Sequence, residues 1–165
     1  MPGIDECLLE AMRLPGSRGA AVVDWTSGLA LGTIGESPNN DHEATAAETA
    51  ELARMAAEHQ AFAPDPTTTA ADVPADGPAN VAADVPAGGD EPPGASAPAV
   101  ATPAAPAGLP VEDVIVTNRT GYHILRFVET TFDSSVFLHL WLDRDEGNLA
   151  LARLRLRDLA ERLVL

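Results

Sequence analysis

The sequence predicts one small α/β domain of three helices and five strands, interrupted by a long disordered insert. Three observations predict it. From 63 to 109 the chain is dense in Ala, Pro, Gly and Asp and holds no Lys, Arg or aromatic residue. Such a stretch buries too little apolar surface to offset the entropy of ordering it. The remainder, roughly 115 to 120 residues, has the size of a single domain, and two independent domains would each be too small for a core. Finally, Phe132 to Leu142 reads FDSSVFLHLWL, with Val136, Leu138, Leu140 and Leu142 facing one way and Phe137, His139 and Trp141 the other. A strand apolar on both faces sits centrally, with helices covering each side.

The elements follow in order. Ile4, Leu8, Ala11 and Met12 recur at helical spacing from Ile4 to Leu14, and Pro15-Gly16 stops that helix. GAAVVDW and LALGTIG are runs of strand formers joined by Thr26-Ser27-Gly28, a β-hairpin. Asn40 stands where a helix cap is needed, with Asp41 and Glu43 in the first turn and Glu43 at the capping-box position. This second helix is expected to run to about Phe62. Its many alanines have two readings: strong helix propensity alone, or close packing on both a sheet and a partner helix. After the insert, VEDVIVT and YHILRFVE flank Asn118-Arg119-Thr120-Gly121 as a second hairpin. The central strand comes next. From Asn148, Leu149, Ala152, Leu156, Leu159 and Leu163 form a helical stripe, and their period outweighs the Leu/Arg alternation from Leu154 to Arg157.

Charge and cysteine content narrow the function classes. Twenty-five acidic residues stand against ten basic ones, all Arg, for a net charge of −15. Nucleic acid and anionic lipid are poor partners for such a chain. A lone cysteine, Cys7, has no internal partner for a disulfide, the start carries acids where a signal peptide carries positive charge, and no apolar run approaches membrane-spanning length. The expectation is a cytoplasmic protein without membrane insertion.

Catalytic chemistry is not signalled. Ser, His and acidic residues stand in no nucleophile-elbow context, and Gly28, Gly32 and Gly35 lack the following helix of a dinucleotide site. No catalytic residue, cofactor or metal is expected, and Cys7 reads as a packed thiol. An even strand register about Thr131 places His123 directly opposite His139. The pair reads as core histidines or as a pH-sensitive pair or half a metal site, with no third ligand evident. Arg54 and Arg119 are the exposed cations to test for partner contact, the other reading being a solvated turn arginine.

The hairpins RGAAVVDWTSGLALGTIG and VIVTNRTGYHILRF, with the closing SSVFLHLWLDRDEGNLALARLRLRDLAERL, give an order that resembles the Roadblock/LC7 family everywhere but the insert. The resemblance implies a single Roadblock/LC7-like domain over 1–165, broken at 63–109. It further implies a five-stranded antiparallel, profilin-like sheet with the second helix on one face and the first and third on the other. Family members dimerise through the second helix and third strand, which here points to Ala47, Ala50, Arg54, Val114, Val116 and Arg119. The implied role is a non-enzymatic homodimeric regulator or scaffold for a small Ras-like GTPase. Alternatives are a profilin-like or PAS-like small-ligand sensor, and a scaffold subunit in a complex without a GTPase. The insert replaces a short loop beside the expected dimer seam. Lengthening a loop tenfold costs about 2 kcal/mol in closure entropy, so the fold should tolerate it. Its acidic residues and its repeated ADVPA, at Ala71 and Ala83, fit a docking tail or a low-complexity expansion.

Overall fold

Two strand-forming segments from before the insert and three from after it make one sheet. The computed structural model describes residues 3–64, 109–129 and 135–163, so the insert lies outside the described residues apart from Ala63, Pro64 and Leu109. The elements are α1 (Ile4–Met12), β1 (Ser17–Asp24), β2 (Leu29–Gly35), α2 (His42–Glu58), a short 3-10 turn (Gln60–Phe62), β3 (Asp113–Thr117), β4 (Gly121–Val128), β5 (Val136–Asp143) and α3 (Leu149–Arg162). The strand order is β2-β1-β5-β4-β3, antiparallel throughout. The doubly apolar strand β5 lies in the middle, buried from Val136 to Leu142.

Side-chain alternation in β5 sorts the core into two layers. Val136, Leu138, Leu140 and Leu142 pack with Leu8 and Ala11 of α1 and with Ala152, Leu156 and Leu159 of α3. On the other face Phe137 joins Leu125, Phe127 and Val23 beneath Ala46, Ala50 and Ala53 of α2. The helices therefore divide between the faces as the resemblance implies. Cys7 is fully buried in the α1 layer. Burial, and then the Glu10 carboxylate, push its thiol up to about 11, so it stays protonated at neutral pH.

Several boundaries differ from expectation for local reasons. The cap of α2 is Asp41, whose carboxylate accepts from the amides of Glu43 and Ala44, both at 3.0 Å. Asn40 instead takes a left-handed conformation with φ of 57°, which Asn tolerates, and closes a turn onto Ser37. Glu43 thus falls one place short of a capping box. Helix α2 stops at Glu58 because His59 is extended, and Gln60–Phe62 forms the separate 3-10 turn. Similarly α1 ends at Met12, β3 begins at Asp113 and β5 begins at Val136, while 130–134 lie outside the described residues.

The turn after α1 needs glycine. Gly16 has φ of +77°, and a Cβ there would press on the backbone of Gly147. That approach lets the Asp143 amide donate to the Gly16 carbonyl at 2.7 Å, joining the end of β5 to the start of β1.

Candidate interaction surface and histidine cleft

Helix α2 can lie close on the sheet because the face it turns inward is made of alanine. Ala46, Ala50 and Ala53 are buried there, and a Cβ on Gly28 would sit 3.6 Å from the Ala47 Cα. The outward face carries Glu43, Ala47, Glu48, Glu51, Met55 and Glu58, all exposed. At the edge of the sheet opposite β2, β3 has no neighbouring strand along its outer side.

The expected interface residues separate on this scaffold. Ala47 is exposed, Val116 is 38% exposed on the edge strand, and Arg119 is exposed at the β3–β4 turn. Val114 is half-buried against the α2-side core. Ala50 is buried against the sheet. Arg54 reaches across to the β1–β2 turn and donates to the carbonyls of Trp25 at 2.9 Å and Thr26 at 3.3 Å. Neither Ala50 nor Arg54 therefore offers a free side chain. Sequence reasoning passed over Met55, 56% exposed on α2, and Phe62, 57% exposed just beyond it. The available signal was a large apolar side chain among Ala and Glu.

The two strand histidines meet, but not directly across. Thr131 is not the centre of the register: His123 pairs with Trp141, and His139 with Leu125. The histidines are diagonal neighbours on one face, within reach of long side chains. Their rings lie 12° from parallel with centroids 5.4 Å apart, and His123 also stacks on Trp141 at 6.0 Å. The Arg18 guanidinium closes the column, 3.8 Å above the Trp141 ring, and pairs with Glu36 at 3.0 Å.

Hydrogen bonding assigns the protons. The Asn118 side-chain oxygen accepts from the backbone amides of Thr120 at 2.8 Å and Gly121 at 2.7 Å, which fixes its amide orientation. Its Nδ2 therefore donates to His123 Nε2, at 3.4 Å. That leaves the His123 hydrogen on Nδ1, where it donates to His139 Nε2 at 3.2 Å. Both rings are neutral in this arrangement. Burial, with the neighbouring His123, pushes His139 down to about 3, and burial lowers His123 as well.

Above the column, the β2–α2 loop borders an open cleft of about 390 Å³ lined by Arg18, Glu36, Ser37, Pro38, His42 and Trp141. Its inner end, at His139 and Ala46, has only about 10 Å³, too little for an organic ligand. Among the described residues no group of three or more His, Cys, Asp or Glu is placed to hold a metal ion, and no helix is long and apolar enough to cross a membrane.

This architecture is a Roadblock/LC7-like fold, an antiparallel five-stranded sheet between one helix and a pair. Among solved structures the chain is similar to Myxococcus xanthus MglB, with a TM-score of 0.58, 14% identity, and coverage of 96% of this chain and 82% of that one. It is also similar to the Roadblock/LC7 domain from Streptomyces avermitilis, with a TM-score of 0.55, 14% identity and coverage of 97% and 93%. The gliding protein MglB from Thermus thermophilus gives a TM-score of 0.56 at 13% identity, covering 96% and 83%. No family model matches the sequence, and no curated protein matches it either.

Proposed function

We propose that the chain is a single domain interrupted by its insert, and that it acts as a non-enzymatic homodimeric regulator or scaffold of a small Ras-like GTPase. The observation that carries this reading is that two elements, a helix face and a sheet edge, are left open. The outer face of α2, with Ala47 and Met55, and the edge strand β3, with Val116, are the elements the resemblance assigns to self-association. A two-fold pairing there would satisfy the β3 edge and cover the exposed apolar side chains. Similarity to MglB, one structure of which is described as having a tetrameric arrangement, supports an assembling protein. The alternative of a small-ligand sensor is less well supported, because the space between Ala46 and His139 holds only about 10 Å³.

The test is light scattering of the full chain and of a Val116→Asp variant, followed by capture of GTP-loaded small GTPases on the immobilised full chain. A dimeric wild type, a monomeric V116D and nucleotide-dependent capture are expected. A wild type still monomeric at about 100 μM, which leaves less than about 5.5 kcal/mol for association, would overturn the dimer.

A further inference from the structure

Two arginines that neutralise nothing within the fold share one groove. Among the described residues, Arg18, Arg126, Arg153, Arg157 and Arg162 pair with carboxylates, and Arg54 and Arg144 hold backbone carbonyls. Arg13, Arg119 and Arg155 do neither. Of the ten arginines, these three alone have neither a carboxylate nor a carbonyl partner among the described residues. Arg13 and Arg155 both line the groove of about 390 Å³ between the end of α1 and the length of α3.

The groove combines charge with an apolar floor. Leu151, Arg155, Leu159 and Arg162 recur at three- and four-residue steps and so form one stripe along α3, facing Leu14 and Pro15 from the end of α1. The acid that lines it, Glu10, is held by Arg162 at 3.0 Å. The local balance is therefore positive on a strongly negative chain. Guanidinium groups bordering apolar surface are weakly hydrated and well suited to carboxylates. Leu14 and Leu159 are covered by the fold, whereas Pro15 is exposed and Leu151 half-buried, and a small inorganic anion would leave those two uncovered.

We propose that the α1–α3 groove docks an acidic peptide segment of a partner protein, its carboxylates on Arg13 and Arg155 and its apolar side chains on Pro15 and Leu151. The groove lies on the sheet face opposite α2. It is therefore separable from the self-association surface, and the proposal stands or falls independently of dimerisation and of any GTPase.

The experiment is fluorescence anisotropy on the full chain with a labelled 16-residue peptide of Asp, Glu and Leu. Saturable binding is expected, weakened at least tenfold in Arg13→Glu/Arg155→Glu and at least severalfold when the peptide leucines become serine. Arg157→Glu, which reverses an exposed cation of α3 outside the groove lining, should leave affinity unchanged. Arg13 and Arg155 are exposed, so the double variant should keep its fold; circular dichroism checks this, and Arg13→Gln/Arg155→Gln replaces it if the fold is lost. The proposal is overturned by an absence of saturable binding, by equal affinity in the double variant, or by an equal loss in R157E. Displacement by equimolar tripolyphosphate would assign a simple anion site, and tighter binding of single-stranded DNA a nucleic-acid surface, and either result also overturns it.

Discussion

His123 Nδ1 lies 3.2 Å from His139 Nε2, and the Asn118 amide on the far side of His123 allows the proton between them to belong only to His123. A second proton on His123 would have to enter at Nε2, against the Asn118 NH2 group. On His139 it would enter at Nε2, against the His123 N–H. The turn at Asn118 and the burial of His139 thus both favour neutral rings.

Stability should consequently fall with acid in a way these rings control. His139, held at about 3 in the fold and near 6.5 when unfolded, binds more protons in the unfolded chain between those values. Its contribution is complete above pH 6.5 and is lost as pH falls, by about 1.4 kcal/mol at pH 5.5. Urea unfolding at pH 7.5 and 5.5 should show this difference, and His139→Leu should reduce the pH dependence by a similar amount. An unchanged dependence in H139L would refute the assignment.

Arg54 should matter for folding before it matters for any partner. Its bonds to the adjacent carbonyls of Trp25 and Thr26 tie α2 to the first hairpin. Arg54→Ala is expected to lower unfolding free energy by about 1 to 2 kcal/mol, measured in urea, with little change in oligomeric state by light scattering. Loss of assembly without loss of stability would return Arg54 to the interface.

Asp113 anchors the edge strand. Its carboxylate meets Arg153 of α3 at 2.6 Å and Arg126 of β4 at 3.6 Å, and it holds Arg153 above the usual guanidinium range. Arg126 is largely covered and its buried Nε has no partner. Removing the carboxylate leaves that cation without much of its compensation. Asp113→Ala should destabilise by about 2 kcal/mol, with faster amide exchange confined first to β3.

Gly16→Ala should be among the most damaging single-methyl changes. The left-handed backbone and the abutting Gly147 backbone oppose the same Cβ. A loss of at least about 2 kcal/mol is expected, whereas Gly3→Ala, with open space around its Cβ, should unfold near the wild-type temperature.

If α2 pairs with its own copy, the pairing should depend on salt in the less usual direction. The outward face carries Glu43, Glu48, Glu51 and Glu58, and like charges across a two-fold axis repel. Raising NaCl from 20 to 300 mM is expected to tighten association by about threefold to tenfold, read by sedimentation velocity. Weaker association at high salt would place the seam elsewhere.

Element order and the sorting of residues between the two faces were legible in the sequence because each rests on local periodicity. The alternation of Val136 to Leu142 declared a central strand, and the stripe from Leu149 to Leu163 declared α3. The caps were less legible: Asn40 and Asp41 are both good cap residues, and only the left-handed turn at Asn40 chose between them. The candidate surface divided similarly. Ala47 and Ala50 look alike in sequence, yet one faces out and the other meets the sheet.

By itself the sequence determined the α/β class, the five strands, the two-sided core and the acidic character, all of which follow from composition and from repeats of two or three to four residues. Tertiary structure decided what depends on contacts between residues far apart in the chain. It set His123 against Trp141 rather than His139, turned Arg54 onto the first hairpin, and brought Arg13 and Arg155 to one groove. A single shift in strand register changes every cross-strand neighbour, and helix rotation decides which cations find partners. Neither leaves a trace in local spacing.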